Sequence, residues 1–335
     1  MNHSINFFRF ISTIIIAFWH FPALSKNVLN SGYIVVEFFF IISGFFLYQT
    51  YRKKDLSIIE YAKNKLSKFW FKTVLITLII FLLNIQKNEL TSSTCIMQYL
   101  VNTTFLLERV IPFQENLHNL NGPIWYLCVL IYGGTLIYAI IKTFTKYHKL
   151  LLLLLTFCCY CIVFKNDICF NNTWNYPLPL LRGIASMSLG CLANILITQN
   201  FITTRLLNLL SSLSLCLSTY LLFTPNIHGI IPVICYFFIL LAISNKETSM
   251  YKLLNRPIFT KLSKTSFEIF IGHMLITQIV YKIIQMTINT NISSGLNIYE
   301  IVMGSVIYLI SIFIFGYLYQ KICNYIQTYI LKYLA

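Results

Sequence analysis

Apolar stretches of about 20 residues, the length a helix needs to cross the hydrocarbon of a bilayer, recur along the whole chain. They run near 5–24, 32–51, 69–86, 121–141, 149–165, 177–197, 205–223, 227–243, 265–286 and 298–318. Of the 335 residues 57% are hydrophobic and only 10% charged, whereas an ordinary soluble domain carries about 25% charged residues. So little charge cannot clothe a water-soluble surface. The expected fold is an all-α, polytopic transmembrane helical bundle of about ten spans. It forms one domain over residues 1–335, with no soluble domain appended. A stretch around Cys95–Leu107 is too short to span and reads as interfacial or re-entrant. Met1–Leu24 reads as a retained first span, because Arg9 interrupts it and no clear small-residue cleavage site follows.

The formal net charge is +15, and its placement decides what it means. With the N-terminus cytoplasmic, seventeen Lys and Arg residues fall in inside segments and four (Lys26, Lys87, Arg109, Lys165) in outside ones. That asymmetry orients the bundle with both termini in the cytoplasm. The charges form short runs between apolar segments, as topology signals and contacts to anionic lipid do. No basic stripe with interleaved aromatics is present, so nucleic acid is not an expected partner. Cysteines such as Cys158, Cys159 and Cys161 sit inside apolar segments, where the thiol acts as a small hydrophobe. No Cys-x-x-Cys pairs with a second one, so neither a disulfide framework nor a metal site is expected.

Ionisable residues inside spans are costly and mark candidate functional positions. Arg9 and His20 lie eleven residues apart, close to three helical turns, so both project from one face with Cα atoms roughly 16 Å apart. Arg9 sits in the inner half and His20 near the outer end. Glu37, about a turn and a half into the second span from outside, lies near the depth of His20. A carboxylate there can orient an imidazole and stabilise its protonated form. The same residues also fit a snorkelling arginine, an interhelical hydrogen bond from His20, or a structural ion pair. Ser43-Gly44 permits close backbone approach, either for helix packing or for an elongated ligand, and Ser43 has no base beside it to make it a nucleophile.

Lys65 and Lys68, three apart on one helix face, belong to the inside segment Arg52–Lys68 at the mouth of the bundle. They can hold phosphates as point charges or serve topology and lipid headgroups. In the ninth span Ser266 and Glu268 lie toward the inner surface and His273 near mid-membrane. Trp125-Tyr126, at the start of the fourth span, stand where an aromatic belt is expected.

Taken together, these residues resemble the acyltransferase 3 family of integral-membrane acyltransferases. The resemblance rests on Arg9 with His20 in the first span, and on Val36-Glu37-Phe38-Phe39-Phe40-Ile41-Ile42-Ser43-Gly44-Phe45 in the second. Asn121-Gly122-Pro123-Ile124-Trp125-Tyr126-Leu127 is similar to the family's central span. Asn255-Arg256-Pro257 through Leu262-Ser263, Ser266 to Phe270, and His273 are similar to its late segment. Lys65 and Lys68 stand where the family usually has two arginines, and Phe270 where Tyr is common. The resemblance implies transfer of an acyl group, commonly acetyl, from cytoplasmic acyl-CoA as co-substrate to a hydroxyl of a glycan acceptor. It implies His20 as general base or transient acyl carrier with Glu37 orienting it, and Arg9, Lys65, Lys68 and Ser43 at the donor. Trp125, Tyr126, His273 and Ser266 would line the acceptor side or a channel. A plasma membrane, bacterial in character, is the expected location. The competing class is a transporter or flippase for a lipid-linked sugar, which intramembrane charges also suit. Its usual sign, two related halves, is not evident.

Overall fold

Residues 2–22, 28–85, 104, 121–165, 177–199, 201–225, 227, 229–288 and 298–334 are described by the structure, a computed structural model. Among them all regular structure is helical. The helices are α1 His3–Trp19, α2 Val36–Lys53, α3 Ile58–Ile85, α4 Ile124–Thr143, α5 His148–Lys165 and α6 Leu178–Gln199. There follow α7 Thr204–Phe223, α8 Ile231–Ser244, the short α9 Ser249–Leu254 and α10 Pro257–Leu262, then α11 Ser266–Ile288 and α12 Ile298–Leu334. Among the described residues each of the ten apolar stretches overlaps a helix. Eight helical segments among the described residues are long and apolar enough to cross a bilayer, while α1 and α8 are shorter apolar helices. The segment Cys95–Leu107 lies, Thr104 apart, outside the described residues.

Local chemistry explains where these helices begin and end. The Asn2 side chain caps α1 by accepting from the Ile5 amide at 3.2 Å. That helix stops at Trp19, with His20 as its C-cap, because Pro22 disfavours helical geometry at the residue before it. A 3₁₀ turn, Gly32–Val35, leads into α2. Within the expected inside segment Arg52–Lys68 only 54–57 is a connection, and α3 already starts at Ile58, ahead of the expected span start near 69. The cause is a capping box. The Ser57 amide donates to Glu60 Oε2 at 2.7 Å, and the Glu60 amide donates to Ser57 Oγ at 3.2 Å. Lys65 and Lys68 are therefore helical residues in the opening turns of α3. At the other end α12 runs well past the expected residue 318, since no Gly or Pro interrupts it after Gly316.

α2 is the hub, packing on α6, α8 and α4. Its closest approach is to α6, where backbone meets backbone. An ideal Cβ on Gly44 would lie 1.8 Å from the Met187 carbonyl oxygen, and one on Gly190 would lie 1.9 Å from that of Ile41. Asn194 Nδ2 donates to the Phe45 carbonyl across the same seam at 3.2 Å. α1 is wedged between α11 and the Gly32–Val35 turn. The outer helices α5, α7 and α12 expose apolar faces such as Leu150, Leu153, Leu154 and Phe157 on α5. Such faces suit lipid, which asks no hydrogen bonds of them.

Candidate functional site

Two residue stripes on α2 decide what the site contains. Positions 37, 40, 41 and 44, spaced by three and four, face α6. Positions 39, 42, 43, 46 and 50 form a second stripe, and these line a cavity of about 370 Å³. α1 contributes Arg9 and Thr13 to this cavity, α3 contributes Lys65, Lys68 and Phe69, α4 contributes Tyr126, Leu127 and Leu130, and α11 contributes Ser266, Phe267 and Phe270. Of the expected site residues, Arg9, Ser43, Lys65, Lys68, Tyr126 and Ser266 thus meet around one space. Lys68 is exposed at its mouth and Lys65 half-buried. Among the described residues that line it none is acidic, while Arg9, Lys65 and Lys68 are basic and Phe39, Ile42 and Phe46 are apolar.

Ser43 and Gly44 face different sides of α2. Gly44 backs onto the α6 backbone, while Ser43 faces the cavity. Ser43 Oγ donates to the Phe39 carbonyl at 2.7 Å and lies 3.1 Å from Tyr126 Oη. Phe39, Tyr126 and Phe270 close the far wall, with ring centroids 6.0 Å (Phe39–Tyr126), 5.9 Å (Phe39–Phe270) and 5.4 Å (Tyr126–Phe270) apart. An aromatic belt at Trp125-Tyr126 is thereby corrected. Both rings are buried, because the start of α4 is covered by α2 and tied to α11 through Asn121 Nδ2, which donates to the Ile271 carbonyl at 3.1 Å.

Behind that wall lie the histidines. Phe270 is 6.1 Å from the His273 ring, and His273 is 5.0 Å from the His20 ring, centroid to centroid. The stripe Ser266–Phe270–His273 on α11 runs beside the Arg9–Thr13–His20 face of α1. On each helix an imidazole follows the cavity-lining residues, one turn past Phe270 on α11 and two turns past Thr13 on α1. His273 is fully buried, and its Nδ1 donates to the Phe270 carbonyl at 2.7 Å. Tyr308 of α12 braces the pair. Its hydroxyl donates to the Ala17 carbonyl at 3.0 Å and accepts from Thr277 Oγ1 at 2.9 Å.

Glu37 takes a different place from the one expected. Its carboxylate is held by the Arg182 guanidinium and the Ser186 hydroxyl of α6, and Ser186 Oγ also lies 2.7 Å from Tyr160 Oη of α5. The expected pairing with His20 is corrected: similar depth does not put two residues on facing sides, and position 37 belongs to the α6 stripe. Trp125 joins this second cluster, with its ring 5.8 Å from the Arg182 guanidinium. A further pair, half-buried Lys72 with buried Glu268 at 2.5 Å, links α3 to α11 beside the cavity. Arg182 and Lys72 were not among the expected site residues. Each is a charge inside an apolar span, the same signal that flags Arg9.

Cations at the mouth, an apolar slot and imidazoles beyond an aromatic wall are the parts needed to seat an anionic carrier and move a proton at its far end. The sequence matches the acyltransferase domain family, acyltransferase 3, over residues 2–332. Neither a curated protein nor a solved structure matches the chain.

Proposed function

We propose, from the premise that this chain belongs to the acyltransferase domain family, that it transfers an acetyl group from acyl-CoA to a hydroxyl of a cell-surface or lipid-linked glycan. That it is a membrane acyltransferase follows from the family and the apolar helices. The donor, the acceptor and the site are our reading. One observation carries it: a cation-lined cavity whose far wall separates it from two adjoining imidazoles.

In this reading Lys65 and Lys68 meet the coenzyme A phosphates as point charges, without the bidentate grip a guanidinium supplies. Arg9 lies further along the path, and Phe39, Ile42 and Phe46 offer an apolar bed to the pantetheine arm. Ser43, Tyr126 and Ser266 supply hydroxyls along it. His20, beyond Phe270, acts as general base on the acceptor hydroxyl or carries the acyl group transiently. Glu37 is released from the role of orienting His20 and becomes part of the scaffold, with Trp125 beside it. The setting is a bacterial plasma membrane, with both termini and the lysine-rich mouth in the cytoplasm, as the asymmetry of Lys and Arg supports.

The test is NMR of surface polysaccharide from cells expressing either the wild type or His20→Ala at equal membrane levels. General acid–base groups contribute about 10²–10⁴-fold, so the O-acyl signal should be present with the wild type and lost with the variant. Identical glycans from both would overturn the assignment and favour a transporter of lipid-linked sugar.

A further inference from the structure

His273 sits fully buried on α11. A carbonyl oxygen only accepts, so the 2.7 Å contact to Phe270 requires that Nδ1 carry the proton. In the neutral ring Nε2 is then left with a bare lone pair. That nitrogen is buried and has no hydrogen-bond partner among the described residues. Buried polar atoms in native structures are nearly always satisfied, and an exception asks for an explanation. A histidine kept only for packing gains nothing from an unpaired acceptor in an apolar setting, where such an atom is costly. The neighbouring ring is His20, with centroids 5.0 Å apart and planes tilted by 37°. At that spacing, rotation of one ring brings nitrogen to nitrogen within hydrogen-bond reach.

We infer that His273 is the proton partner of His20, its tautomer fixed by the Phe270 carbonyl so that Nε2 receives a proton from the His20 ring. The inference rests on the acyl-transfer reading and deepens it by giving His20 the partner that Glu37 does not supply. As the acceptor hydroxyl oxygen bonds to the thioester carbonyl carbon and the C–S bond breaks, the hydroxyl proton moves to the bare nitrogen of His20. The opposite N–H of His20 passes its proton to His273 Nε2. The pair then holds one extra proton, which returns through His20 to the thiolate and leaves an ester and a free thiol. His273 acts through His20 and is a positioning residue. Tyr308 keeps the two helices in register for it.

The experiment uses the full chain, labelled with ¹⁵N-histidine, in lipid nanodiscs, with ring signals assigned from single-histidine variants. His273 should show a protonated Nδ1 and an unprotonated Nε2, and His273→Gln should change the tautomer balance of His20. In cells, His273→Ala and His273→Gln should each lower the glycan O-acyl signal at least tenfold at unchanged protein level. Should His273→Ala fail to fold, His273→Gln, closer in volume, still reports both readouts. Unchanged His20 ring signals in folded His273→Gln would overturn the pairing, as would wild-type transfer by that variant. An absence of O-acyl ester even with wild type would instead remove the acyl-transfer reading, while the ring coupling remains separately readable.

Discussion

Glu37 and Arg182 join α2 to α6 at a depth where both side chains are buried. Removing one member of such a pair leaves the other charge desolvated and uncompensated, at a cost of about 3–5 kcal/mol, whereas replacing both is often nearly neutral. Glu37→Gln should therefore lower the thermal midpoint in detergent sharply, and Glu37→Gln with Arg182→Met should recover much of the loss. Equal melting of the single and double variants would show that the pair is not what holds the seam. At the same scale, α2 explains why the partner of Glu37 was only half legible. Its spacing from Phe40, Ile41 and Gly44 could be counted from the sequence. That α6 would lie on that face could not, because the two residues are 145 positions apart.

Among the elements, the α2–α6 contact is the one least able to yield. A methyl on Gly190 or Gly44 would meet a backbone carbonyl, which no rotamer change relieves. Overpacking costs about 1–3 kcal/mol where side chains can shift, and here whole helices must separate. Gly190→Ala and Gly44→Ala should both reduce the yield of monodisperse protein on size-exclusion chromatography. Gly122→Ala, with nothing within 4 Å of its added methyl, should elute as wild type. The start of α3 follows from Ser57 and Glu60 and the end of α1 from Pro22, signals that the expected bounds near 69 and 24 did not use. Both are local signals, set by residues within a few positions of the boundary. The cavity is different in kind, since five helices line it and each supplies at most one stripe.

At the scale of the whole molecule, the lysines whose asymmetry predicts the orientation include the two at the cavity mouth, which we propose also meet the donor. If coenzyme A is the donor, Lys65→Gln and Lys68→Gln should each weaken its binding about fivefold, the effect of roughly 1 kcal/mol for a partly exposed charge contact. Affinity should also fall as salt rises, because exposed charges are screened. Calorimetry on nanodisc-embedded protein measures both, and salt-independent binding unchanged by either substitution would place the phosphates elsewhere. The class of the protein, its helical segments and the faces of single helices were determined by the sequence itself, because hydropathy, 3.6-residue spacing and capping act over short stretches of chain. Only the tertiary structure decided that Glu37 meets Arg182, that Trp125 and Tyr126 are buried, and that His20 faces His273. Those outcomes depend on which helices pack side by side, and packing joins residues that no local pattern relates.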